Sequence, residues 1–206
     1  MYRLFGSPST ASLVVHWMLL ELGVPFELEM LDFEAKDQKS ADYLKLNPGG
    51  VVPTLIVDGS PMVESGAILM LLAERHPEAG LAPAVGSPER AQWLQWMVWI
   101  PSALMPAFRL WFYAEERPGL ADAVIQARIE SLWDRVDAHL AGRRYMVGDR
   151  LSTADMLVTM LMRWSRNMPK PASAWPNIAV YLQHIRRTPS LRQVHAREGL
   201  TDWIDG

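Results

Sequence analysis

The sequence predicts two domains: an α/β domain of element order βαβαββα, followed by an all-helical one. Three observations carry this reading. Strand and helix periodicities alternate over residues 1–78, a stretch punctuated by Gly80, Pro83, Gly86 and Pro88 follows at 79–88, and residues 89–206 carry helical patterns with no strand signal. The 206 residues, half of them apolar, suffice for a core in each domain.

Residues 2–5 form a short apolar strand that Gly6, Ser7, Pro8 and Ser9 interrupt. Leu13, Trp17 and Leu20 then recur at helical spacing up to Gly23, a C-cap candidate, and residues 26–31 give a second strand. This βαβ unit should be right-handed with parallel strands. A short charged helix is expected over 37–46, a strand over 51–57 interrupted by Pro53, and a tight hairpin at Asp58-Gly59 into Met62 and Val63. A helix over 64–75 closes the domain, with Ala67, Ile68, Leu71 and Leu72 toward the sheet.

In the second half, residues 89–115 form a long helical segment rich in tryptophan and phenylalanine, in which Pro101 and Pro106 each threaten a kink or break. Pro118 is expected in the first turn of a helix reaching Leu140, with Ile125, Ile129, Leu132, Val136 and Leu140 on one face. Ser152 and Asp155 have the spacing of a capping box that starts the apolar segment 156–164, a structural device.

A net charge of −3 gives no reason to expect nucleic acid or an anionic membrane as partner. The chain has no cysteine, which excludes disulfides, thiolate metal sites and a protein-borne thiol nucleophile, so any thiol chemistry must use a ligand's sulfur. Neither a signal peptide nor a bilayer-spanning run is expected, and a cytoplasmic location follows as an expectation.

The stretch NPGGVVPTLIVDGSPMVESGAI, residues 47–68, is where chemistry is expected. Pro53 would cost a central strand a ladder hydrogen bond, so the backbone should leave the sheet there. A cis Val52-Pro53 bond would turn the Val52 N–H and C=O outward to pair with an extended peptide-like ligand. Glu64 and Ser65 then open a helix whose N–H groups form an anion site, the Ser65 hydroxyl adding a donor and the Glu64 carboxylate a partner for an ammonium. A small peptide with both an amine and a carboxylate suits this arrangement.

NPGGVVPTL with ESGAI eleven residues after the proline resembles the glutathione-binding segment of the cytosolic glutathione transferases, and WPNIAVYLQHIRRTPSLRQV resembles that family's final helices. The resemblance implies a thioredoxin-like domain at 1–78, a linker at 79–88 and an all-helical domain at 89–206. It assigns Val52 and Pro53 to the cysteinyl part of glutathione, and Glu64 and Ser65 to the γ-glutamyl end. Glutathione is then a co-substrate and no metal is required. The donor that lowers the thiol pKa is expected in the turn before the first helix, at Ser9, Thr10 or Ser12. Alignment with the serine-type delta, theta and zeta classes favours Ser9, while the cysteine of the beta class falls on Ala11. Gly49 and Gly50 occupy positions where many relatives hold the glycyl carboxylate, and Gln38 and Lys39 lie in a segment that could approach it instead. His16 is set aside as a packing or surface residue.

The implied activity adds the glutathione thiolate to a small hydrophobic electrophile, by conjugation, isomerisation or dehalogenation. The expected electrophile site lies where the helical domain faces the Ser9 turn, lined by Met105, Phe108, Trp111 and Phe112. The competing reading is a non-catalytic interaction module of the same fold, as in the stringent starvation protein and elongation-factor relatives. The apolar load of 64–75 and 89–112 predicts a homodimer.

Overall fold

A computed structural model describes residues 1–205. By packing, the chain forms two units: Met1–Ala79 with Arg187–Asp205, and Gly80–Arg186.

The first unit carries a four-stranded sheet in the order β2-β1-β3-β4. β1 (Tyr2–Gly6) pairs parallel with β2 (Phe26–Met30) and antiparallel with β3 (Thr54–Val57), which pairs antiparallel with β4 (Ser60–Met62). Asp58 and Gly59 both take positive φ, 52° and 79°, the backbone that a two-residue hairpin of native twist requires. β3 begins at Thr54, three residues later than the sequence pattern suggested, because residues 51–53 leave the ladder.

Helix α1 (Ser12–Leu22) ends on Gly23 at φ 64° and is buried at eight consecutive positions, 12–19. Burial all round means neighbours on both sides. The last helix, α9 (Pro189–Arg197), supplies one of them: Trp17 Nε1 donates to Ser190 Oγ at 2.7 Å, and the buried His16 and Glu198 pair at 2.9 Å. Full burial of Trp17 and Leu19 stabilises this packing by about 2 kcal/mol for each side chain. The charged segment at 37–46 is a 3-10 turn (Asp37–Lys39) and a separate helix α2 (Ala41–Leu46), divided at Ser40, whose hydroxyl caps α2 by accepting from the Tyr43 N–H. Helix α3 (Ser65–Arg75) buries Ile68, Leu69, Leu72 and Ala73. Ala67 is exposed and Leu71 half-buried, so the inner stripe lies one position away from the expected face.

In the second unit, α4 (Glu89–Trp99) passes through a π-helical turn (Ile100–Leu104) into α5 (Met105–Phe112). The wider turn at Pro101 absorbs the proline, so the helix bulges at one of the two prolines expected to kink or break it. Pro118 lies in a turn closed by Gly119 at φ 81°, and α6 (Asp122–Leu140) starts four residues after that proline. Trp133 is buried on α6 where Leu132 was expected, because a full aromatic ring fills the space against Phe108.

Helix α7 (Thr153–Trp164) runs through the centre of this unit with residues 153–163 buried, and α8 (Pro176–Ile185) packs on α6. The capping box is present. Asp155 accepts from the Ser152 N–H at 2.9 Å and Oγ at 2.7 Å, from the Met146 N–H at 2.7 Å and from Tyr181 Oη at 3.0 Å. Among the described residues no helix is long and apolar enough to cross a membrane, and no cluster of His, Cys, Asp and Glu is arranged to hold a metal ion.

Candidate functional site

The turn between β1 and α1 carries the three hydroxyl candidates. Thr10 Oγ1 donates to Ser7 O at 2.7 Å and lies 2.9 Å from Ser12 Oγ, which reaches the same carbonyl at 3.1 Å. Each hydroxyl oxygen also accepts a backbone N–H, Ser12 Oγ from Ser7 at 3.0 Å and Thr10 Oγ1 from Ser12 at 3.3 Å. A hydroxyl has a single hydrogen. Both hydrogens are therefore used inside the turn, and Thr10 and Ser12 brace it.

The packing is tight enough that a Cβ on Gly6 would meet Ser12 Oγ at 2.7 Å. Ser9 stands differently. Its backbone is left-handed at φ 62°, and its N–H donates to Glu198 Oε2 at 3.0 Å. α1 begins only at Ser12, and Ala11 precedes it without a side-chain cap, so Ser9 is no N-cap. Glu198 Oε1 faces His16 Nδ1, and neither side chain has any exposed surface. His16, set aside from the sequence, is thus half of a buried pair, and His16 Nε2 is buried without a hydrogen-bond partner. No local signal could reveal this, since the partner lies 182 residues away.

Residues 47–65 form the second part. The Val52-Pro53 peptide is cis, and Val52 itself is 9% exposed. Glu64 sits at φ 70°, ψ 102° directly before α3, with its side chain exposed and no capping bond. Such a backbone costs a non-glycine residue about 1–3 kcal/mol, and strain of this kind gathers at ligand sites. Ser65 follows as the first residue of α3 and is buried, so the hydroxyl and the open N–H groups of the helix start lie together.

Gln38 and Lys39 do come to the glycine turn. Lys39 Nζ donates to Gly49 O at 3.3 Å, and a Cβ on Gly50 would meet Lys39 Nζ at 2.7 Å and the Gln38 carbonyl at 2.8 Å. Gly50 is at φ 57° as well, so both backbone and space demand glycine. Gln38 Oε1 is buried without a partner.

Of the four candidate residues on α5, Met105 and Trp111 are half-buried and Phe112 is exposed. Phe108 is fully buried, stacked on Phe112 and edge-on to Trp133 and Trp164. It belongs to the core and lines no surface.

Two family models match the chain. Residues 1–74 match the glutathione S-transferase N-terminal domain and residues 126–189 the C-terminal domain. Among curated relatives, glutathione S-transferase GST-4.5 of Xanthomonas campestris is 32% identical, covering 96% of this chain and 99% of its own. The chain belongs to the glutathione S-transferase family. Among solved structures, a glutathione transferase from Methylococcus capsulatus superposes with a TM-score of 0.87 at 31% identity, over 97% of this chain and 100% of its own. A sphingomonad glutathione S-transferase, solved as a complex with glutathione, gives 0.85 at 31% identity with the same coverage.

Proposed function

We propose that this family member is a glutathione transferase that binds glutathione, favours its thiolate and transfers it to a small hydrophobic electrophile. The observation that carries the proposal is the 47–65 segment. A peptide ligand needs main-chain partners for its amides and separate sites for its charged ends. Val52 beside Pro53 offers the first. The strained Glu64 and the buried Ser65 at the start of α3 offer a carboxylate for the γ-glutamyl amine and donors for its carboxylate. Lys39, with Gln38, supplies the cation for the glycyl end that Gly49 and Gly50 lack. The sphingomonad relative, bound to glutathione, supports the choice of ligand.

Ser9 is the proposed thiolate donor, supported by its alignment with the activating serine of the serine-type classes, while Thr10 and Ser12 brace the turn. Met105, Trp111 and Phe112 are the proposed contacts for the electrophile. A homodimer is part of the proposal, supported by exposed Leu94 and Val98 one turn apart on α4. Light scattering at micromolar protein checks it, and a monomer counts against it.

Two measurements test the activity. Calorimetry should detect glutathione at millimolar concentration, and no binding there leaves the interaction-module reading in its place. Ser9→Ala should move the ultraviolet thiolate titration of bound glutathione to higher pH by about one unit, cutting turnover roughly tenfold with affinity little changed. An unmoved titration removes Ser9 from the chemistry.

A further inference from the structure

One backbone carbonyl just upstream of Pro53 is held by two side chains. Tyr43 Oη donates to Val51 O at 2.6 Å, and Asn47 Nδ2 donates to the same oxygen at 2.8 Å. Thr54 Oγ1 completes the group, 2.8 Å from Tyr43 Oη and 3.2 Å from Asn47 Nδ2. Since the Tyr43 hydrogen goes to Val51, Thr54 donates to Tyr43 and accepts from Asn47. Asn47 Oδ1 takes the Gly49 N–H at 3.0 Å. All three side chains are buried, at 4%, 5% and 0% exposure, and every polar atom among them has a partner.

A loop carbonyl can be satisfied by water, so three buried polar side chains around this one ask for another reason. The Val51 C=O and the Val52 N–H belong to one planar trans peptide unit and point in opposite directions. Pinning the oxygen from two sides therefore pins the direction of the N–H. We infer that Tyr43 and Asn47 are positioning residues that aim the Val52 N–H at a carbonyl of the bound peptide ligand. This rests on the glutathione reading of Val52 given above.

Tyr43 is itself held on both sides. Its ring lies 5.7 Å from that of Phe5, in one apolar cluster with Leu31 and Val52. Burial, offset in part by the bonds with Thr54 and Asn47, pushes its hydroxyl above the usual phenol range, so it stays protonated and donating across the working pH. The arrangement carries no charge, so it should act on affinity and leave the thiolate alone.

The test is Tyr43→Phe, which keeps the ring and removes one donor. The dissociation constant for glutathione, and its KM, should rise by about five- to tenfold, while kcat at saturating glutathione and the thiolate titration stay at wild-type values. Asn47→Asp, which keeps Oδ1 for Gly49 but sets an anionic oxygen against the Val51 carbonyl, should weaken binding more, and it serves alone should Tyr43→Phe not fold. Thr54→Val removes a hydroxyl that touches both donors but not the carbonyl, and should leave affinity within about twofold. Wild-type affinity in Tyr43→Phe and Asn47→Asp, with glutathione still bound by the parent, overturns this inference and spares the transferase reading. A fall in affinity that matches Thr54→Val at equal loss of stability overturns it too, as does a loss confined to kcat. Absence of glutathione binding by the unmutated protein overturns both.

Discussion

Replacing Asp155 by asparagine should destabilise the helical unit by an amount that shrinks as pH rises. The carboxylate accepts four hydrogen bonds, from the Met146 and Ser152 N–H groups, Ser152 Oγ and Tyr181 Oη, and has no contact with water. Burial pushes its pKa up from 3.8 to about 6, against the pull of those bonds. The unfolded chain has the ordinary value, so between pH 4 and 6 the folded state holds a proton that the unfolded state has lost. Stability conferred by Asp155 is then fully present below about pH 4 and falls as pH rises through 6. Two units at about 1.4 kcal/mol each give about 3 kcal/mol lost across the window. Asparagine does not titrate, and its amide turns at least one N–H toward a donor, which costs on the order of 1–3 kcal/mol at every pH. The destabilisation caused by Asp155→Asn should therefore be largest near pH 4 and narrow by as much as about 3 kcal/mol toward pH 7. Urea unfolding of both proteins, followed by tryptophan fluorescence at each pH, measures the difference, in which the other titrating groups cancel. A difference that stays constant or grows with pH would refute the argument, because the four donated bonds would then outweigh burial.

Other expected outcomes follow from the Ser9 turn and the glycines. Glu198→Ala strands the Ser9 N–H and His16 Nδ1 in a buried setting and should cost about 2–4 kcal/mol in thermal or urea unfolding. Glu198→Gln keeps an acceptor for Ser9 and should recover most of it, with no recovery counting against the pairing. Gly6→Ala drives a methyl into Ser12 Oγ, so a loss of about 1–3 kcal/mol is expected, and unchanged stability would show that the turn yields freely. Gly50→Ala strains a left-handed residue and displaces Lys39, so calorimetry should find glutathione bound several-fold more weakly, and wild-type affinity would remove Lys39 from the site.

These predictions also separate what the sequence discloses from what it hides. Strand and helix order follows from periods of two and 3.6, and the 1–78 pattern yields the sheet, its parallel pair and the Asp58-Gly59 hairpin because each rests on neighbours in the chain. The same holds for Ser152 and Asp155, three residues apart. Proline was the weaker guide. It marks where a normal helix cannot continue but not whether the chain breaks or widens, and at Pro101 it widens into a π turn. The stripe on α3 and the choice of Trp133 over Leu132 depend on the shape of the opposing surface, which no local period encodes.

The site divides along the same line. Val52, Glu64 and Ser65 lie within one short segment, and their spacing alone drew attention to it. What fixes them is spread more widely. Ser9, Thr10 and Ser12 lie within four positions of one another, and only the fold shows that Thr10 and Ser12 are bonded to each other and to Ser7 O. Glu198 reaches Ser9 from the last helix across 189 positions, and Tyr43 reaches Val51 from α2. A residue that meets a ligand can be found by its motif, because the ligand's chemistry restricts its type. A residue that holds the first in place is restricted only by geometry, and the same role passes to whatever donor the fold brings within 3 Å.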